Sequence, residues 1–129
     1  LPQDLFQSAD SRAVRHTADI DGCLCVYYEY PSAVDSDKTL VMIHGYRGNH
    51  RGLQAIAGGL NKYRVIIPDL PGFGESQPLK TTHSIRAYSD WLHKFLGALQ
   101  LTDKAHLIGH SFGSLVVGFY ATQHSPRSV

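Results

Sequence analysis

Leu107-Ile108-Gly109-His110-Ser111-Phe112-Gly113-Ser114 is the stretch that decides the fold. Ala105 to Ile108, just at its start, is short, mostly apolar and flanked by turn-prone residues, which predicts a buried strand. Leu115, Val116, Phe119 and Tyr120 recur at helical spacing, so a helix follows almost at once. A strand that turns into a helix within about two residues holds its corner residue in a strained backbone conformation. Side chains two before and two after that corner would collide, and Gly109 and Gly113 have none. Ser111 therefore projects its hydroxyl from a sharp turn at a helix N-terminus, where the free N–H groups and the helix dipole favour negative charge.

The rest of the chain reads as strands and helices that build toward this corner. Residues 1–12 are polar and read as a loose lead-in. Arg12 to Ile20 alternates as a half-exposed strand, Asp21-Gly22 is a hairpin-turn dipeptide, and Leu24 to Tyr30 is a β-rich run that pairs back antiparallel. Pro31 to Lys38 is a polar loop. Thr39 to His44 is continuously apolar up to its last residue, the mark of a central parallel strand covered on both faces. Asn49 can cap a helix with Leu53, Ile56, Ala57 and Leu60 as its apolar positions, weakened at its end by Gly58 and Gly59. Tyr63 to Pro68 is the next buried strand, and 69–76 is a glycine-punctuated loop. Ser84 to Gln100 places Ile85, Tyr88, Leu92, Phe95, Leu96 and Leu99 on one helical face. After the serine corner and its helix, Ser125-Pro126 ends the last element. A β-hairpin followed by three strand–helix units is an α/β architecture, a mostly parallel sheet with flanking helices and right-handed crossovers.

Composition narrows the function classes. At 129 residues, 43% hydrophobic and 18% charged, the chain is expected to form no more than one domain, and it is too apolar to be disordered. A net charge of +1 leaves no electrostatic footprint for nucleic acid or an anionic membrane surface. The eight histidines read as scattered, so neither a metal nor another cofactor is expected. Cys23 and Cys25 are two apart on one strand face, an arrangement that seldom forms a disulfide. Two buried thiols, no long apolar span and no signal-peptide pattern at Leu1–Phe6 lead to the expectation of a cytoplasmic protein with no membrane association.

Three motifs in order, covering most of the chain, resemble the α/β-hydrolase family. They are His44-Gly45-Tyr46-Arg47-Gly48 after the third strand, Asp69-Leu70-Pro71-Gly72-Phe73-Gly74-Glu75-Ser76 after the fourth, and the G-x-S-x-G run Gly109–Gly113. Gly72-Phe73-Gly74 does not continue as a dinucleotide fingerprint, because Gln77 holds the sixth position and no helix starts there. Gly45 to Gly52 lacks the Lys-Ser/Thr of a phosphate-binding loop. The resemblance implies Ser111 as catalytic nucleophile, Gly109 and Gly113 as its elbow supports, and the backbone N–H groups of Phe112 and Tyr46 as an oxyanion hole. It also implies that the loop from Asp69 is structural and that His44 and His110 serve packing and hydrogen bonding. A serine at position 111 points to the esterase-like branch, away from branches that carry an aspartate there. The substrate implied is a small-molecule ester, thioester or similar acyl compound; a carbon–carbon bond hydrolase or a non-catalytic binding protein of the same fold are the alternatives.

The resemblance also sets what to look for beyond Ser111. The family's chain order is Ser, then Asp or Glu, then His. No acidic residue follows Ser111, and the one histidine that does, His124, is over three helical turns away. At ~1.5 Å rise per residue that is about 20 Å, outside hydrogen-bond reach. The expectation is therefore that residues 1–129 form the N-terminal part of one α/β-hydrolase domain, ending after the elbow helix and nearly inert alone. Its C-terminal half, as a continuation or a separate chain, would carry the triad acid, the histidine and any lid. The serine strand would then be left as an open sheet edge.

Overall fold

The computed structural model describes residues 13–45 and 48–129. The lead-in 1–12, including the expected start of the first strand at Arg12, lies outside the described residues, as do Tyr46 and Arg47. The elements are β1 (Val14–Ile20), β2 (Cys23–Tyr30), β3 (Thr39–Ile43), α1 (Gln54–Gly59), β4 (Arg64–Pro68), α2 (Ile85–Ala98), β5 (Ala105–Gly109) and α3 (Phe112–Gln123), with a 3₁₀ turn over His50–Leu53 before α1.

One five-stranded sheet runs in the order β1-β2-β4-β3-β5. β1 pairs antiparallel with β2, and β2 antiparallel with β4, while β3 lies parallel to both β4 and β5. The sheet is thus mixed: antiparallel where the hairpin joins it, parallel around the serine strand. Alternation along the central strands divides the core. Val41, Ile43 and Ile66 face α2 and α3, where they pack with Leu92, Phe95, Leu96, Val116 and Tyr120. Met42, Val65 and Ile67 face the other way onto Leu53 and Ala57. An apolar run with no polar face is what such a doubly covered strand requires.

Each helix follows its local chemistry. Ser84 caps α2, its hydroxyl accepting from Ala87 N–H at 3.1 Å. Asn49 caps the 3₁₀ turn by accepting from Arg51 N–H at 2.9 Å. Two expected core positions on the helices turn outward: Ile56 is 53% exposed and Leu115 is 55% exposed, and Val117 takes the buried position on α3 instead. On α1 the reason is length, since its six residues bury only Gln54 and Ala57, and Leu53 of the preceding 3₁₀ turn supplies the other apolar contact to the sheet. On α3 the apolar residues run all round the helix, so periodicity does not choose among them.

The edge strand is partly bordered rather than fully open. Beyond α3, Arg127 N–H donates to Ala105 O at 3.1 Å and Leu107 N–H donates to Ser128 O at 2.8 Å, a short parallel bridge beside the start of β5. Ile108 and Val129 remain exposed near that edge.

At the end of α2 the chain reverses through Gln100, at φ 61°. Gln100 N–H reaches Gly97 O and Leu101 N–H reaches Leu96 O, the pair of bonds that closes a helix in a left-handed cap. Glycine adopts that conformation without a Cβ penalty. Gln100→Gly is expected to stabilise the fold by about 0.5–1 kcal/mol, read as a rise in thermal midpoint; a fall would show that the Gln100 side chain contributes more than the backbone strain costs.

Candidate active site

The site begins with a backbone constraint. Ser111 sits at φ 56°, ψ −121°, between the end of β5 and the first residue of α3. A non-glycine residue in such a region costs of order 1–3 kcal/mol and persists only where its surroundings enforce it. Here they do: His110 N–H donates to Ile43 O at 3.0 Å, Gly113 N–H to His110 O at 2.9 Å, and Ser114 N–H to Ser111 O at 2.9 Å. The glycines leave no room for anything larger. A Cβ on Gly113 would lie 2.1 Å from Ile43 O, and one on Gly109 would lie 2.5 Å from Gly113 O. A Cβ on Gly45, from the facing turn, would come within 3.2 Å of Ser111 Cβ. The start of α3 is thereby pressed onto the end of β3.

Ser111 is exposed and opens onto a cleft of about 240 Å³ bounded by His44, Gly45, Gly48, Asn49, Leu53 and His110. Phe112 opens α3 directly after the serine, its ring edge-on to Tyr88 at 5.6 Å. The expected role of His110 as a packing residue does not match its placement: its side chain is exposed at the cleft. The strand–turn geometry sends residue 110 outward beside the serine. Tyr46, the other expected N–H donor, lies outside the described residues.

His44 is 2% exposed and fully engaged. Its Nε2 accepts from Leu70 N–H at 2.9 Å while Nδ1–H donates to Gly45 O at 2.7 Å, which fixes a neutral tautomer. Burial pushes its pKa down, outweighing the opposing pull of the Gly45 carbonyl and Asp69. This histidine bonds the loop after β3 to the loop after β4.

A second buried group, at the head of the glycine-punctuated loop, does the same work through a partner that no sequence pattern names. Asp69 is fully buried, and its carboxylate accepts from His50 N–H at 2.8 Å, His50 Nδ1–H at 2.8 Å and Glu75 N–H at 3.1 Å. Burial raises the pKa of the acid, but the His50 and Glu75 hydrogen bonds outweigh it and hold Asp69 below its ordinary value. Gly74, at φ 54°, lets the loop close over that carboxylate, since a Cβ there would sit 2.4 Å from it. The His50–Asp69 pairing spans 19 residues, and no short-range pattern encodes it.

The other candidate groups lie elsewhere. His124 caps the far end of α3, with its ring stacked on His93 at 3.9 Å. Cys23 and Cys25 are both buried and unbridged, and burial pushes the Cys25 thiol up to about 12. His106 and His110 are four apart, but His106 bonds Ser128 Oγ while His110 lines the cleft. Among the described residues no three His, Cys, Asp or Glu side chains gather as metal ligands, and no helix is long and apolar enough to cross a membrane. A larger cleft of about 520 Å³, lined by Asp37, Lys38, Lys104, His106 and Arg127, lies where β3 and β5 begin, away from Ser111.

Comparison with known proteins sets this geometry in a family. A family model described as alpha/beta hydrolase fold matches residues 38–129. The chain is 38% identical over 91 residues to Lipase 1 of Psychrobacter immobilis, covering 70% of this chain and 28% of that one. It is 37% identical over 89 residues to the pimeloyl-[acyl-carrier protein] methyl ester esterase of Aeromonas hydrophila, covering 68% of this chain and 34% of that one. Among solved structures, a membrane phospholipase A superposes with a TM-score of 0.79 at 26% identity, over 95% of this chain and 41% of that one. The haloalkane dehalogenase DbeA-M1 of Bradyrhizobium elkanii shares the fold at TM-score 0.78 and 18% identity, over 88% of this chain and 37% of that one. The chain thus spans about a third of the curated relatives it matches.

Two outcomes check the geometry. Gly113→Ala is expected to destabilise by about 3 kcal/mol or more, because the clash is with backbone, whereas Gly118→Ala, with open space around its Cβ, should stabilise α3 by about 1 kcal/mol. Denaturant titration of the two separates the tight contact from helix propensity. The second check is pH. His44 is held neutral with its pKa below the unfolded 6.5, so the unfolded chain binds the extra proton first. Its contribution is present above pH 6.5 and lost as pH falls toward the folded pKa. The melting temperature should drop between pH 7 and 5, and less steeply in His44→Gln; equal slopes would show that His44 is not the group that resists protonation. His124, whose pKa is also lowered by burial and then by His93, contributes in the same direction and is unchanged in that comparison.

Proposed function

Since the chain belongs to the α/β hydrolase fold family, we propose that it is the nucleophile-bearing part of a serine hydrolase that cleaves an ester, thioester or similar acyl bond. The observation that carries the reading is Ser111 at positive φ on a strand-to-helix corner, exposed to a cleft and locked by Gly109 and Gly113. The lipase and esterase relatives support ester cleavage over the other chemistries found on this fold.

In the proposed reaction Ser111 Oγ attacks the carbonyl carbon as a histidine takes its proton. The tetrahedral oxyanion is bound by the N–H of Phe112, first in α3, and by that of Tyr46, each such donor contributing roughly 3 kcal/mol to the transition state. The carbon–oxygen or carbon–sulfur bond breaks, the histidine returns its proton to the leaving alcohol or thiol, and water then releases the acid from Ser111. Among the described residues no imidazole is hydrogen-bonded to Ser111. The proposal assigns that histidine and its carboxylate to polypeptide of the kind the longer relatives have beyond the matched region. Without a base, a serine triad loses on the order of 10⁶ in kcat, so residues 1–129 alone should turn over esters barely above background.

The deciding experiment is labelling with a fluorophosphonate, peptide mapping and a Ser111→Ala control. Modification at Ser111 that the substitution abolishes is the expected result for the intact protein. Absence of labelling there would overturn the enzymatic reading in favour of a non-catalytic binding protein.

A further inference from the structure

Ser111 is held from one side by the elbow, but the opposite wall of its cleft has little local support. That wall runs from Gly48 and Asn49 to Leu53, through a 3₁₀ turn and into the six residues of α1, which ends on Gly58 and Gly59. A helix of this length is not stable by itself. Its middle residue, His50, is buried but does not line the cleft; it points the other way, into a closed ring of contacts. His50 Nδ1–H and its backbone N–H both donate to Asp69 Oδ1, and Glu75 N–H donates to Asp69 Oδ2. Tyr28 Oη–H donates to Glu75 Oε1 at 2.5 Å, and the Tyr28 ring stacks on the His50 ring with centroids 3.7 Å apart. Arg15 holds the remaining oxygen of Glu75 at 3.0 Å. A buried carboxylate that spends three acceptor sites on two loops fixes those loops relative to each other far more firmly than an exposed pair would.

We propose that the buried His50–Asp69 pair positions the Gly48–Leu53 wall against Ser111, and thereby sets the space open to the acyl group. Neither residue touches the reacting atoms; His50 and Asp69 are positioning residues. The inference rests on the serine-hydrolase reading for its chemical meaning, while the restraint on the wall stands on geometry alone. Displacing a wall that contacts the bound group before and during reaction weakens binding more than it slows attack.

The test uses the intact protein with His50→Phe and His50→Asn. Phenylalanine keeps the stack on Tyr28 and removes the donor; asparagine places an amide N–H near the position of Nδ1 and gives up the stack. Backbone hydrogen exchange over 48–53 and the concentration dependence of Ser111 labelling by ethyl and octyl fluorophosphonates are the readouts. In His50→Phe, exchange over 48–53 should rise about tenfold with β3 and β4 unchanged. The half-saturating probe concentration should rise about tenfold, more for the octyl than the ethyl probe, with the limiting rate changed less than about threefold. His50→Asn should recover most of both. Unchanged exchange, exchange raised throughout the sheet, or an asparagine variant no better than phenylalanine would overturn the proposal. Should wild-type Ser111 not label at all, the hydrolase reading falls while the exchange result still decides whether His50 restrains the wall.

Discussion

The approach of Gly113 to the end of β3 is the contact on which the rest of the site depends. With Ile43 O where a Cβ would lie 2.1 Å away, α3 can begin only if its second residue has no side chain. Interiors at crystal-like density do not absorb such a clash by small shifts. The contact also explains the strain at Ser111. Once β5 is paired with β3 and α3 is pressed onto the end of β3, no ordinary backbone path connects them, and the serine takes the left-handed corner. Strain there is the consequence of two well-packed elements meeting too close, and it leaves the hydroxyl exposed.

The loops after β3 and β4 are organised differently. They contain few apolar residues and are tied by polar side chains buried beneath them. His44 accepts from Leu70 N–H, and Asp69 accepts from both the backbone and the ring of His50. Both ties require one protonation state: His44 neutral and Asp69 ionised. Burial favours the first directly, and convergent N–H donors maintain the second against burial. The two loops are therefore held by one group that burial keeps neutral and one that its hydrogen bonds keep ionised against burial.

Strand and helix order was legible along the chain, because the signals are local. The apolar runs at Leu40–Ile43 and Val65–Ile67, the Asp21-Gly22 turn and the face Tyr88–Leu92–Phe95–Leu96 each state their structure within a few residues. The same holds for Ser111 between its two glycines. Legibility ended where the signal was ambiguous or long-range. On α3, apolar residues on every side left Leu115 and Val117 interchangeable by periodicity, and the packing chose Val117. The antiparallel pairing of β2 with β4, which joins the hairpin to the parallel strands, is a choice of neighbour that neither strand's pattern expresses.

What the sequence by itself determined is the set of elements, the family they resemble and the residue at the corner, because spacing, glycine placement and residue polarity act over a few bonds. What the tertiary structure alone decided is which groups meet across loops. His110 is exposed at the cleft, His44 at its border has both ring nitrogens engaged by backbone, and Asp69 and His50 join residues 19 apart in a buried pair. Such pairings depend on strand order and on how closely two loops approach, and those are properties of the packed sheet that no stretch of the chain carries alone.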